Sequence, residues 1–183
     1  MRLNLRVRRY DLELLGERSR EISYGEIAHQ ALYFLPSLPK GYQRKEVSSF
    51  VKKALKRALA LFDPRFREDF SETEKQLGKI LTKALLLEEV KPYFEEGVEV
   101  FKEIEVQDKT GMLHRIDRLV ITREGPVVIE YKLGGRRRAH KEQVNLYQKI
   151  LTHIFGQRPK GFLFYLEEPS FLDVDSLKQK PLL

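Results

Sequence analysis

Apolar residues change their spacing near the middle of the chain. In residues 44–61, RKEVSSFVKKALKRALAL, they recur every three or four positions, which predicts an amphipathic helix. From residue 97 onward they alternate with polar residues or form short runs, as is typical of strands. The pattern therefore predicts a helical first part and a second part that contains a sheet.

Two further helices are predicted in the first part. Ser23 begins a Ser-x-x-Glu pattern, the form of a capping box, ahead of GEIAHQALYFL, and Pro36 closes that segment. A second Ser-x-x-Glu pattern starts a helix over residues 71–90, which Pro92 follows. The mainly helical part thus covers residues 23–92.

The second part is divided by turn signals, DKTG and REGP, and by a Gly-Gly pair. It predicts three strands, a helix and a last strand: 97–106, 113–122, 126–132, 138–155 and 160–166. Residues 167–183 form a tail without a clear pattern.

This order of elements predicts an α/β fold with a mixed sheet. The first three strands form an antiparallel meander, and the third strand, the helix and the last strand form a βαβ unit. If its two strands are neighbours, they run parallel with a right-handed crossover. The length of 183 residues suits one domain, with extra N-terminal helices and a sheet core over residues 97–166.

Composition excludes several classes of site. The chain has no cysteine, so disulfides, cysteine-bound iron–sulfur clusters and thiol nucleophiles are excluded. The formal net charge of +7 permits a polyanionic partner. No segment has the length and apolarity of a membrane span or a signal peptide, so we expect a cytoplasmic protein.

Three charged residues occupy strands that are otherwise apolar. Glu130 and Lys132 share one face of their strand, and the predicted hairpin places Asp117 opposite Lys132, to within two residues. Two carboxylates suit a hard cation such as Mg²⁺, and a nearby lysine suits a water or a phosphate. The alternative is an ordinary cross-strand salt bridge. The expected burial of these strands favours a metal site over a salt bridge, because unpaired buried charges are costly.

Three stretches in this region carry a resemblance: RIDRLV, VVIEYKLGG and HKEQVNLYQKIL. They resemble the nuclease core of the PD-(D/E)XK superfamily, and within it the RecB-type exonuclease branch at the C-terminal ends of UvrD-like helicases such as AddA and RecB. GEIAHQAL is similar to the Gly-x-x-x-His helix of that branch. The resemblance implies a restriction-endonuclease-like core with the order α-β-β-β-α-β.

The resemblance also implies a metal-dependent active site without an iron–sulfur cluster. The implied ligands of Mg²⁺ or Mn²⁺ are His29, Asp117, Glu130 and the backbone carbonyl of Tyr131. The implied catalytic residues are Asp117, Glu130, Lys132, Gln143 and Tyr147. Three further carboxylates stay unranked as additional members of the metal site: Glu26, Glu103 and Glu105.

Each of these residues also has an ordinary structural interpretation. A histidine such as His29 is more often a simple helix residue than a ligand. Gln143 and Tyr147 are four apart and share one helical face, so they fit an amphipathic boundary as well as an active site.

Basic residues follow the third strand directly. Arg136, Arg137 and Arg138 fit a solvated surface, but they also lie where a phosphate backbone would approach the metal, and we expect them to bind DNA. The basic face of residues 44–57 is a second candidate DNA track.

The sequence hypothesis is a Mg²⁺- or Mn²⁺-dependent deoxyribonuclease that processes DNA ends in repair or recombination, alone or with a UvrD-like helicase. The alternative is a non-catalytic DNA-binding or helicase-interaction module with the same fold, against which the intact Asp117, Glu130 and Lys132 argue. No GxxxxGK[ST] motif occurs, so the chain contains no ATP motor of that type.

Overall fold

The structure is a computed structural model that describes residues 24–61 and 70–177. Its helices are α1 (Tyr24–Phe34), α2 (Arg44–Leu59), α3 (Phe70–Leu85) and α4 (Arg138–Phe155). Its strands are β1 (Glu99–Gln107), β2 (Leu113–Thr122), β3 (Gly125–Lys132), β4 (Lys160–Tyr165) and β5 (Ser170–Asp173). The predicted Ser23 cap lies outside the described residues.

One five-stranded sheet organises the fold, in the order β1-β2-β3-β4-β5. β3 and β4 are parallel neighbours joined through α4, and the other pairs are antiparallel. The predicted α/β class, the mixed sheet and the α-β-β-β-α-β order are confirmed.

Two elements differ from the prediction. α3 ends at Leu85 instead of residue 90, and the chain then turns so that Val90 and Phe94 become fully buried. Residues in the predicted tail form β5, whose Phe171 ring stacks on Phe162 at 4.4 Å between centroids. A four-residue strand is too short for alternation to identify it.

Helices cover both faces of the sheet. α1, α2 and α3 pack on one face, where the core includes Leu55, Leu81, Val120, Ile129 and Phe164. α4 packs on the other face, where the core includes Ile116, Val128, Val144, Leu151 and Leu163. β3 is therefore buried from Pro126 to Tyr131, which explains its continuous apolar run. Within the described residues, no helix combines the length and apolarity needed to cross a membrane.

A glycine sets the distance between α4 and β4. A Cβ atom added at Gly161 would lie 2.7 Å from Val144 Cγ1 and 2.8 Å from Gln148 Nε2. Both neighbours are fully buried, so they have little room to move.

We expect Gly161→Ala to lower the free energy of unfolding by about 1–3 kcal/mol, because the added methyl overpacks this contact. Chemical denaturation measures the change. Gly134→Ala is the matched control, since a Cβ there has no neighbour within 4 Å. Equal stability of the two variants would contradict the packing account.

Candidate metal centre

The pairing of β2 with β3 ends at Asp117, one of the predicted metal ligands. Their register runs from Thr122 opposite Gly125 to Arg118 opposite Ile129 and ends there. At the next residue of β2, Asp117 Oδ2 accepts the backbone N–H of Tyr131 at 2.8 Å. A side-chain carboxylate therefore takes the place of a backbone acceptor, and the two strands separate.

The predicted register was wrong by two residues. The hairpin turn is centred one residue earlier than the sequence suggested, between Thr122 and Gly125, and turn position sets register. Continuing the observed pairing brings Asp117 opposite Glu130 instead of Lys132. The shift places two carboxylates together at the point where the strands separate.

Glu103 reaches this point from β1. It lies between the pairs Lys102–Arg118 and Ile104–Ile116, hence across from Asp117. Its φ is 52°, and among the described residues it is the one non-glycine residue with a positive φ. Such a conformation costs on the order of 1 kcal/mol or more, and strained residues cluster at functional sites.

The strained residue breaks the alternation of β1. Phe101 and Ile104 are three apart, yet both pack in the core beneath α4. Regular alternation would place them on opposite faces. The backbone at Glu103 therefore reverses which side chains of β1 point to each face of the sheet.

His29 joins the two carboxylates from α1. Its Nδ1 lies 3.2 Å from Asp117 Oδ1, and its ring meets Tyr131 edge-on, 5.7 Å between centroids. Ligand atoms of His29, Glu103 and Asp117 all lie within 4.8 Å of one another, a group that could hold a metal ion. Of the three unranked carboxylates, Glu103 is the one that joins this group.

Glu130 is almost fully buried and is not a member of this group, but the charges of Asp117 and His29 act on its carboxyl. Its Oε1 accepts a hydrogen bond from Lys132 Nζ at 2.8 Å, whereas its buried Oε2 has no hydrogen-bond partner among the described residues. Burial raises the pKa of Glu130 to about 8, the charge of Asp117 adds to the rise, and Lys132 opposes it. An unpartnered buried carboxylate oxygen is costly unless a proton or cation satisfies it.

The pKa values of His29 and Glu103 are raised as well. Burial lowers the pKa of His29, but the hydrogen bond to Asp117 and the charges of Asp117, Glu130 and Glu103 outweigh burial, so the net pKa is raised. Burial raises the pKa of Glu103, although Arg115, whose Nε lies 2.7 Å from Glu103 Oε2, opposes the rise. Burial and the proximity of the carboxylates therefore both favour a bound proton or cation at this centre.

This donor set fits a hard divalent cation. Carboxylate oxygens and one imidazole suit Mg²⁺ or Mn²⁺, and the unpartnered Glu130 Oε2 offers a further oxygen. The predicted ligands His29 and Asp117 lie together, with Glu130 adjoining them. The Tyr131 carbonyl stays a prediction.

A directed chain of hydrogen bonds holds Lys132. Its ammonium group donates to Glu130 Oε1 and, at 3.0 Å, to Gln143 Oε1. Gln143 Nε2 donates to the Tyr147 hydroxyl at 2.7 Å, which donates to the Arg115 carbonyl at 2.9 Å. Gln143 and Tyr147 therefore contact the lysine side of the site, and they fix the position of the ammonium group.

The three arginines after β3 differ in their surroundings. The Arg136 guanidinium lies 5.6 Å from the Tyr165 ring centroid and donates to Ser170 Oγ at 3.3 Å. Arg138 forms an ion pair with Glu142 at 3.0 Å. Arg137 is the N-cap residue of α4. Two of the three side chains thus already have partners within the chain.

One buried cation, Arg118, is not among the residues that the sequence predicted for the site. Arg118 is 1% exposed, and its Nε and Nη2 donate to the Tyr93 carbonyl at 3.1 and 2.8 Å. Its guanidinium lies 4.0 Å from the Phe94 ring centroid. Arg118 therefore connects the turn before β1 to the sheet, at the residue of β2 next to Asp117. A charged residue inside an apolar strand was the available signal.

The raised pKa values predict how the stability of the metal-free protein depends on pH. Because folding raises the pKa of Glu130 from 4.5 to about 8, its favourable contribution is complete below the unfolded pKa and is lost as pH rises to about 8. His29 and Glu103 shift in the same direction. In EDTA, the free energy of unfolding should therefore fall by on the order of 2 kcal/mol between about pH 5 and pH 8.

Urea denaturation across this pH range measures the fall. Glu130→Gln should flatten the curve, because the amide keeps an acceptor for Lys132 and cannot ionise. An unchanged pH dependence in the variant would show that Glu130 does not carry the effect.

A comparison with protein families agrees with this geometry. Residues 2–180 match the model of the PD-(D/E)XK nuclease superfamily. No curated protein matches the chain. The match covers nearly the whole chain, including the sheet, α4 and the carboxylates where β2 and β3 separate. The chain therefore belongs to the PD-(D/E)XK nuclease superfamily, whose members are generally nucleases that use divalent metals.

Proposed function

We propose that this protein is a Mg²⁺- or Mn²⁺-dependent deoxyribonuclease of the RecB-type exonuclease branch. The observation that carries the proposal is the buried Glu130, whose Oε2 is unpartnered beside the cluster of His29, Glu103 and Asp117. A buried carboxylate oxygen without a partner, on a side chain that senses the charges of Asp117 and His29, is the arrangement that a bound cation would stabilise.

In this proposal His29, Asp117, Glu130 and the Tyr131 carbonyl hold the metal, and Glu103 joins them. The bound cation would supply a water of lowered pKa and neutralise charge that develops on the phosphate. Burial of Glu130 and Asp117 strengthens their interaction with any cation, because fewer waters screen it.

Lys132 supplies the second positive charge of the site. An ammonium group has three N–H donors, and Glu130 and Gln143 accept two of them. The third can donate to a phosphate oxygen or to the attacking water. Gln143, fixed in turn by Tyr147, determines where that third donor points. Gln143 and Tyr147 are positioning residues in this scheme.

The finer assignment follows the motifs. The RecB-type pattern supports exonucleolytic processing of DNA ends in repair or recombination, alone or with a UvrD-like helicase. Arg137 is the best candidate for a phosphate contact among the three arginines, because Arg136 and Arg138 have partners within the chain.

The alternative is a DNA-binding or helicase-interaction module without catalysis. The Glu130–Lys132 ion pair at 2.8 Å is the observation that favours it, since that pair alone matches a structural salt bridge. The two candidates differ in whether the carboxylates bind a metal and whether DNA is cleaved.

We expect the protein to cleave end-labelled DNA with Mg²⁺ or Mn²⁺ and not with EDTA, and Asp117→Asn to abolish cleavage. Asparagine keeps an oxygen that can accept the Tyr131 N–H, so the fold should be retained. Asp117→Ala should also be inactive, but it leaves that buried N–H unpaired and should cost about 1–3 kcal/mol of stability.

Gel analysis of labelled single- and double-stranded substrates measures cleavage, and thermal denaturation measures stability. Cleavage by a folded Asp117→Asn variant would refute the assignment of the site. A wild-type protein that binds Mn²⁺ and DNA but cleaves neither substrate would support the non-catalytic module.

Gln143→Ala should lower kcat by roughly 10- to 100-fold with little change in KM, because a misplaced ammonium group weakens the reaction more than binding. Asn145→Ala, which removes an amide from the same helix, is the control. Steady-state kinetics on a short DNA substrate measure both. Equal kcat values for the two variants would remove Gln143 from the site.

A further inference from the structure

An open groove of about 940 Å³ lies between α2 and α3. Leu55 forms part of its floor, and Gly78 of α3 lies close to Leu55. The walls carry side chains that are mostly exposed: Arg44, Lys45, Ser48, Lys52, Ser71, Glu74, Lys75, Lys79 and Thr82. None of these residues belongs to the candidate metal centre.

The groove holds an excess of positive charge. Of the lining residues that the structure describes, five are basic and one, Glu74, is acidic. Within residues 24–61 and 70–177, Lys45, Lys52 and Lys79 form no ion pair, and Lys75 approaches Glu72 only at 3.8 Å. Neighbouring cations without counter-charges repel one another, so the groove favours a polyanion.

The lining chemistry matches a phosphate backbone. Ser48 and Ser71 add exposed hydroxyl donors to the basic side chains, and hydroxyls and cations are the usual contacts of phosphate oxygens. Among the described residues that line the groove, none is aromatic. Proteins that hold single strands commonly stack bases on aromatic rings, whereas backbone contacts alone suit a duplex.

We propose that this groove binds the sugar–phosphate backbone of duplex DNA, outside the cleavage centre. The proposal rests on the proposed function and names the form of DNA that the protein holds. From Arg44 to Leu55 the helix rises roughly 16 Å, which matches about four to five nucleotides of one strand. Contacts of this kind carry no base information, so binding is independent of sequence.

An anchor outside the candidate centre would add binding energy that the centre itself does not supply. The centre contains three carboxyl groups, so it attracts a polyanion less than a basic groove does. Arg136 and Arg138 already have partners in the chain. α2 packs against α1, which carries His29, so the groove belongs to the same helical layer as one wall of the centre.

Two triple variants with the same change of charge test the groove. The groove variant is Lys45→Gln, Lys52→Gln and Lys79→Gln. The control variant changes three exposed cations of α2 that line a separate pocket, not this groove: Lys53→Gln, Lys56→Gln and Arg57→Gln. Binding to labelled duplex and single-stranded DNA is measured in EDTA by fluorescence anisotropy, over a series of salt concentrations. Thermal denaturation verifies that both variants fold.

The groove variant should bind duplex DNA at least about tenfold more weakly than wild type, and its salt slope should fall by about 2 to 3. The control should lose less affinity, and single-stranded DNA should be less affected than duplex. Equal losses in the two variants, or unchanged duplex affinity in the groove variant, would overturn the proposal. An equal or larger loss for single strands would overturn the duplex assignment.

EDTA prevents cleavage, so binding and catalysis are tested separately. Groove-dependent binding by a protein that cleaves no DNA would support the groove and reject the nuclease proposal. If the wild-type protein cleaves DNA but the groove variant binds duplex DNA as tightly as wild type, the nuclease proposal is supported and the groove proposal is rejected.

Discussion

The hydrogen bond from the Tyr131 N–H to the Asp117 carboxylate determines the rest of the site. It ends the pairing of β2 and β3 without leaving a buried donor unpaired, so the two strands separate at little cost. The opening created there receives His29 from α1 and Glu103 from β1, and it leaves Glu130 facing the same space. One carboxylate thus satisfies the backbone of the sheet and belongs to the group that could bind a cation.

The features that suit this site to bind a cation also lower the stability of the folded chain. Two buried carboxylates and one partly buried carboxylate belong to this region, and Glu103 occupies an unfavourable backbone conformation. Ordinary packing would not select either feature, because each raises the free energy of the folded chain. The large cores on both faces of the sheet offset this cost. The hydrogen-bonded chain of Lys132, Gln143 and Tyr147 differs, because each of its hydrogen bonds joins a donor to an acceptor and together they fix one charge in place.

The sequence predicted the elements whose patterns are long and regular. The apolar positions of β2, the apolar run of β3 and the helical spacing of α4 identified the core, and the family resemblance indicated His29 and Asp117, which lie in contact. Three features could not be predicted from the sequence, for physical reasons. Register depends on one residue of turn position, which alternation does not reveal. Glu103 and Glu105 share a face in a regular strand, so only the reversed backbone at Glu103 distinguishes them. β5 is too short to show a period.

His29 and Asp117 are 88 residues apart in sequence, yet they are hydrogen-bonded. The centre therefore has a high contact order, and it can form only after α1 has docked against a completed sheet. A fragment that contains β1 to β5 would retain the carboxylates and Lys132 but would lose the imidazole. Its remaining ligands would all be oxygens, which select metals differently from a mixed nitrogen and oxygen set. Docking of the first helix thus supplies the one nitrogen ligand atom of a candidate group whose other members come from the sheet.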